Sequence, residues 1–429
     1  VVEIITAAMC AAISIVVIDP HEHSLAWNSF LQLVARGFGR RVLFDRLSNL
    51  SRVLGYRFLR PSNARNPFRQ KSENEQTTRE FCDVLMRRRD MSSLAGHPQT
   101  EEFITDALDL ILQQRTEVSA AKIEFALQPD HKEFKRLVAN CTNDELRTKF
   151  EAIAEGRIKP GMYASAARLI RGACRSPAFT LRCEPTFDLY DFLDNRGILL
   201  VEGSSQGISS DTASMIMGAI ILQVINYVRS RRTSQPRVLL IMDEATNANL
   251  IGGAGHEVRA LAELQKKGLD VHILVQSPTF ANAFVEDGVF TNCIEHHWFF
   301  AANDAVAQKA ARDLDDADYR EAVRGLRRGE RFIKRLNHVT REMVTPLPDP
   351  WPFPGLSERK ARTALSQILK RPEYWSPLQC SESPPTPTPL TESSNLPTDT
   401  SSLTDTSPPS SPAERLRIAR RRNSETKGD

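Results

Sequence analysis

The chain lacks three things, and each lack narrows what it can be. Seven cysteines are scattered with no C-x-x-C pair, which excludes a structural zinc ribbon and fits thiols in a reducing cytoplasm. No unbroken apolar run reaches the roughly 18 residues of a membrane span, and no signal peptide is visible at the Val1 end, so no span is expected. The charge excess is only +3, too small for bulk electrostatics to imply nucleic acid. Against this, 429 residues with 41% hydrophobic content suffice for two or three domains with a real core.

The run Arg237-Val-Leu-Leu-Ile-Met-Asp-Glu-Ala245 carries the most information. A buried strand, Val238 to Met242, delivers two adjacent carboxylates, Asp243 and Glu244, to its carboxyl end. That is the form of a Walker B element, whose first carboxylate holds Mg²⁺ and whose second polarises the water that attacks a γ-phosphate. The next strand, Val271 to Val275, ends at Gln276, and ligands sit at the carboxyl ends of parallel strands. The bland reading is a buried strand followed by a helix whose start favours acids. The partner motif G-x-x-x-x-G-K-[ST] occurs nowhere in the 429 residues. The first eleven residues read as a helix, and Ile13 to Ile18 as a strand ending in Asp19-Pro20. This order is expected immediately after a phosphate loop, so the chain reads as a fragment without its first strand and Walker A.

Residues 1–65 read as helix, strand, helix, strand, with Leu25 to Arg36 helical and Arg41 to Asp45 a short strand. From 66 to 184 strand signals vanish and helical periodicity dominates, which predicts an all-α insertion. The α/β pattern resumes over 185–350. Gly197 to Glu202 is a buried strand, and Ser209-Ser-Asp211 caps a long apolar helix to about Arg231. A helix near His256 to Lys267 precedes the Gln276 strand. Cys293 to Phe300 is another strand, and Leu326 to Arg335 turns into a further one. Alternating strands and helices predict one parallel, doubly wound sheet. A helical extension occupies 351–375. Residues 376–429 are rich in Ser, Thr and Pro and predict a disordered tail with five arginines between Arg415 and Arg422.

These residues resemble a family. Ile15-Val-Val-Ile-Asp-Pro-His21, Gly197-Ile-Leu-Leu-Val-Glu-Gly203, Val238 to Ala245 and Val271-His-Ile-Leu-Val-Gln-Ser-Pro278 are similar to the HerA/FtsK-type P-loop ATPases. Their conjugation and type IV secretion relatives look nearest. Leu326 to Ile333 is similar to the strand that closes that domain. The resemblance covers about 1–65 and 185–350. It implies an α/β RecA-like P-loop NTPase sheet with an inserted all-α domain. It also implies ATP with Mg²⁺, a homo-hexameric ring, movement of DNA or a secretion substrate, and membrane-associated machinery around a cytoplasmic ATPase. It gives Asp243 the Mg²⁺ role, Glu244 the catalytic base and Gln276 the polar sensor. Relatives often carry Gly-Arg-Lys before the Gln strand, where this chain has Gln265-Lys-Lys-Gly268. Lysine is only a point charge, so Arg259 is the substitute candidate for an arginine finger, against a plain solvated helix arginine. Ala248 to Gly255 is a flexible-loop candidate.

Two other classes compete. Gly203-Ser-Ser-Gln-Gly207 matches a G-x-S-x-G nucleophile elbow with Ser205 as nucleophile, and Asp270 and His296 follow in triad order. No upstream glycine-rich oxyanion loop accompanies it, and the helix starts late. A non-catalytic ATPase-like assembly subunit is the other alternative. The histidines do not make a metal site: His296 and His297 alternate across a strand, and His21 and His23 read as polar loop residues. For a nucleic-acid contact, Arg87-Arg-Arg89 and Arg420-Arg-Arg422 are the local candidates, with solvated charge as the bland reading.

Overall fold

The computed structural model describes residues 5, 8, 11–62, 65–86, 98–114, 116–203, 207–231, 234–244, 263–275, 295–299, 304–314, 318–327, 330–335, 338–343 and 356–376. All fall within one compact unit, residues 1–382. The 377–429 tail, Arg87 to Arg89 and Ala248 to Gly255 therefore lie outside the described residues.

Five strands form the central sheet: β1 (Ser14–Asp19), β2 (Val42–Arg46), β4 (Ile198–Glu202), β5 (Val238–Met242) and β6 (Leu269–Ile273). Their order is β2-β4-β1-β5-β6, and every pairing is parallel. The sequences SIVVID, ILLVE and VLLIM are apolar almost without interruption and buried at every position. Such runs suit a parallel sheet covered on both faces. The strand expected at Val271 to Val275 begins two residues earlier, at Leu269.

Helix α1 (Leu25–Ala35) packs against β4 and β1. Its Ser24 makes no capping bond. Instead the Asp19 carboxylate reaches from the tip of β1 and accepts from the Ala26 N–H at 2.7 Å, satisfying a helix-start donor that would otherwise lack a partner. Eight helices follow among the described residues between the short strand β3 (Val53–Leu54) and β4: α2 (Pro67–Met86), α3 (Pro98–Leu112), α4 (Ala120–Phe125), α5 (Lys132–Ala139), α6 (Asp144–Ala154), α7 (Pro160–Cys174), α8 (Pro177–Arg182) and α9 (Leu189–Asp194). Local chemistry sets their starts: Asn143 and Asp188 accept N-cap bonds, and Pro160 and Pro177 occupy first-turn positions where their missing N–H costs nothing. Helix α10 (Ser210–Ser230), capped by Ser209, is long and apolar enough to cross a membrane by length and composition alone. Its apolar residues are buried in the core shared with the sheet, which makes it a core helix.

The expected parallel sheet is present with five strands, and the later strands lie outside it. Strands β7 (Glu295–Trp298), β8 (Glu330–Arg335) and β9 (His338–Met343) form a separate antiparallel sheet. Their sequences EHHW, ERFIKR and HVTREM mix charge with apolar residues, and only an antiparallel sheet readily leaves one face to water. Helices α11 (Asp304–Asp313) and α12 (Tyr319–Arg324) share a second small core with it, around Ala307, Val323 and Phe332.

The edge strand β2 is closed by the segment containing α13 (Glu358–Ile368) and β10 (Tyr374–Trp375). The Tyr374 hydroxyl accepts from Phe44 N–H at 2.7 Å and donates to Phe44 C=O at 3.0 Å. Arg371 donates to the carbonyl of Val42 at 2.9 Å.

One ion pair joins the helices to the sheet. Arg182, at the end of α8, and Asp45, in β2, are 0% and 1% exposed. The guanidinium donates to both Asp45 oxygens, at 2.5 and 3.0 Å, and also to the carbonyls of Ala178 and Arg46. Tyr56 donates to Asp45 Oδ2 at 2.9 Å. Removing one partner of such a pair strands a buried charge and typically costs about 3–5 kcal/mol, whereas an apolar pair of similar volume is nearly neutral. Arg182→Met is therefore expected to lower the unfolding free energy by about that amount in urea titration, and Asp45→Leu added to it should restore most of the loss.

Candidate active site at the carboxyl edge of the sheet

Parallel pairing brings the ends of neighbouring strands to one edge. The register sets Asp19 beside Glu202 and Ile18 beside Met242. Asp243 N–H donates to Ile18 C=O at 2.9 Å, and Gly203 N–H to Asp19 C=O at 2.7 Å. Three strands thus end together in acids: Glu202 on β4, Asp19 on β1, and Asp243 with Glu244 on β5. A side chain at Gly203 would place its Cβ 2.3 Å from Pro20 C=O, so only glycine lets these two strand ends approach.

The acids differ in surroundings. Burial pushes the Asp19 carboxyl up to about 6, although the N–H groups of Ala26 and His21 pull the other way. Burial likewise takes Glu202 up to about 7 against the opposing charge of Arg46, whose Nε lies 2.7 Å from Glu202 Oε1. Asp243 is raised first by burial and then by the charge of Glu244. Glu244 is itself only 8% exposed and has φ 45°, a left-handed backbone uncommon outside glycine. That turn aims its side chain at His21, whose Nε2 lies 2.6 Å from Glu244 Oε2. The hydrogen bond to Glu244 is the main reason the His21 imidazole titrates above its usual range.

The structure thus brings Asp243 and Glu244 together with Asp19, His21, Glu202 and Arg46, four residues that sequence reasoning did not select. His21 was read as a polar loop residue. The only available signal was its position two residues past the end of a buried strand. Strand β6 lies beside β5, and Leu274 N–H donates to Met242 C=O at 2.9 Å. Gln276, two residues further, lies outside the described residues, as do Arg259 and Ser205. The hydrolase triad does not assemble from its other members. Asp270 pairs with Arg237 near the start of β6, and His296 Nδ1 pairs with Asp313 at 2.8 Å.

Among the described residues no group of three or more His, Cys, Asp or Glu side chains could hold a metal by itself. A Mg²⁺ ion bound through one carboxylate, water and phosphate oxygens needs no such group. Asp243 fits that description, because a hard cation would offset the burial and like charge that disfavour its ionised form.

Raised carboxyl pKa values have a definite sign. Their contribution to stability is full below the unfolded value and is lost as pH rises through the folded one. For Glu202, moved from 4.5 to about 7, the loss amounts to about 3 kcal/mol. Asp19 and His21 act in the same direction. The urea midpoint should therefore fall between about pH 4 and pH 8, and Glu202→Gln should flatten that fall above about pH 4.5.

No protein-family model matches the chain, and no curated protein matches it by sequence. Solved structures do match. The bacterial conjugative coupling protein TrwBdeltaN70 in an unbound form aligns with TM-score 0.54 and 11% identity, over 80% of each chain. TrwB in complex with ADP and Mg²⁺ aligns with TM-score 0.53 and 11% identity, over 80% of this chain and 81% of that one. VirB4 of Thermoanaerobacter pseudethanolicus gives TM-score 0.53 and 13% identity, over 80% and 84%. At these identities the likeness is one of fold: the chain has the RecA-like α/β fold of TrwB and VirB4.

Proposed function

We propose that a chain with this fold is the ATPase core of a HerA/FtsK-type motor, hydrolysing ATP with Mg²⁺ to move DNA or a secretion substrate through a homo-hexameric ring. The observation that carries the reading is the acid pair Asp243-Glu244 at the carboxyl tip of β5, beside β1 on the edge where a parallel sheet takes its ligand. The fold shared with TrwB, solved with ADP and Mg²⁺, supports it. The activity belongs in the cytoplasm beside membrane-associated conjugation or secretion machinery. Cys82, Cys141, Cys174 and Cys183 are buried and in no disulfide, which suits that compartment.

In this reading Asp243 holds Mg²⁺, which when bound neutralises phosphate charge. Glu244 accepts a hydrogen bond from the attacking water and takes up its proton. His21 holds the Glu244 carboxylate at 2.6 Å and fixes its direction in the resting site. Gln276, three positions after β6 in the sequence, serves as the polar sensor. Arg259 is the arginine offered to a neighbouring subunit's phosphate. A non-catalytic assembly subunit is the second reading, favoured by one fact: no G-x-x-x-x-G-K-[ST] run occurs in these 429 residues.

The test is ATP turnover and binding in the protein as it occurs in the cell. Glu244→Gln should lower turnover about 10²–10⁴-fold, the usual scale for a lost general base, while ATP affinity holds. Asp243→Ala should weaken Mg·ATP binding as well. Turnover indifferent to Glu244→Gln would overturn the motor reading in favour of the assembly subunit.

A further inference from the structure

A large cleft in the described structure lies away from the acids and shares no residue with them. It measures about 990 Å³ and lies towards the amino edge of the sheet, where α10 ends and β6 is about to begin. We propose that it binds a phosphate-bearing ligand that also carries a hydroxyl or amine donor, the chemistry of a nucleotide.

Charge is the first argument. Arg57 and Arg60, after β3, line one side, and Arg65 and Arg69, at the start of α2, a second. The third side carries Arg229 and Arg231, from the end of α10, and Lys267. Against these seven cations the wall holds a single carboxylate, Glu73, already engaged by Arg69 at 2.7 Å and by Ser62. Three more carboxylates reach the cluster from behind: Asp188 and Glu117 on Arg57, and Glu80 on Arg229. Seven cations face four acids, so three positive charges are left over. Arg65 makes no ion pair among the described residues. Solvated charge of this kind is ordinary on an open surface, but here it converges on one cavity within the usual volume range of ligand sites.

Unmet hydrogen bonding is the second argument. Gln223, in the middle of α10, is 4% exposed and lines the cleft, and its side-chain oxygen has no hydrogen-bond partner. The Nε atoms of Arg57 and Arg231, on two other sides, are buried and likewise unpartnered. A buried polar atom without a partner costs roughly 1–3 kcal/mol. Phosphate oxygens would accept from the two guanidinium groups. The Gln223 oxygen accepts only, so it asks for a donor, which inorganic phosphate at neutral pH supplies poorly and a sugar hydroxyl or base amine supplies well.

The site owes nothing to Asp243 or Glu244, and the test keeps the two apart. Binding of thymidine 5′-diphosphate, of a short oligothymidylate and of tripolyphosphate to the full chain would be followed by fluorescence or calorimetry in EDTA at low salt. Arg65→Gln with Arg69→Gln, both exposed and outside the core, should weaken the nucleotide ligands about tenfold and reduce the salt slope by about two. Gln223→Leu should weaken the two nucleotide ligands and leave tripolyphosphate unchanged. Asp243→Ala should change none of these values. Tighter binding of the oligonucleotide assigns the ligand to a nucleic-acid strand, and tighter binding of the diphosphate assigns it to a free nucleotide. Absence of binding at low salt, or binding unmoved by the arginine pair, overturns the proposal whatever the ATPase assay gives.

Discussion

A charge buried where water cannot reach it must be answered on all sides, and the Asp45–Arg182 pair is so placed that the architecture follows from answering it. Asp45 sits on the edge strand of the parallel sheet, and Arg182 closes the helical block 137 residues later in the chain. The guanidinium needs the carbonyls of Ala178 and Arg46 as well as the carboxylate. The end of α8 is therefore fixed against β2 in one geometry only. The α2 wall of the basic cleft is held separately, by its packing on α10 and by the Glu80–Arg229 pair. The next residue along β2, Arg46, turns to the other side and holds Glu202. One dipeptide thus ties the helical block behind it and the acid edge in front of it.

What could be read from the residues follows this division between local and distant causes. Strands β1, β4 and β5 were visible because a strand covered on both faces must be apolar throughout. The acids at the tip of β5 were visible because they break that run abruptly. The Ser209 cap of α10 is a local hydrogen bond and was equally plain. His21 was passed over because its meaning depends on β1 lying beside β5, a pairing between residues more than two hundred positions apart. Asp45–Arg182 was invisible for the same reason. The antiparallel β7–β9 sheet was folded into the main one because alternation of strands and helices says nothing about which strands pair. Gln223 and the cleft arginines each look unremarkable in sequence, and only convergence gives them a common purpose.

The two ends of the sheet carry opposite chemistry. At the carboxyl edge, burial works against the ionised forms of Asp19, Glu202 and Asp243, an arrangement a cation would relax. At the amino edge, surplus guanidinium charge and unpartnered polar atoms would be relaxed by an anion. Helix α10 spans the distance between them, beginning just after the β4 tip and ending in Arg229 and Arg231 at the cleft. Its middle is packed in the core.

The Tyr374 hydroxyl, which both donates to and accepts from the Phe44 backbone, has a consequence for the life of the protein in a crowded cell. An unpaired strand edge is a template on which foreign strands can grow. Here a single phenol, assisted by Arg371, occupies hydrogen-bonding groups that an intruding strand would need. That protection comes from a segment synthesised more than three hundred residues after the strand it guards. Until that segment docks, β2 keeps its edge bare, so the sheet is safe from its neighbours only once a distant part of the chain has reached it.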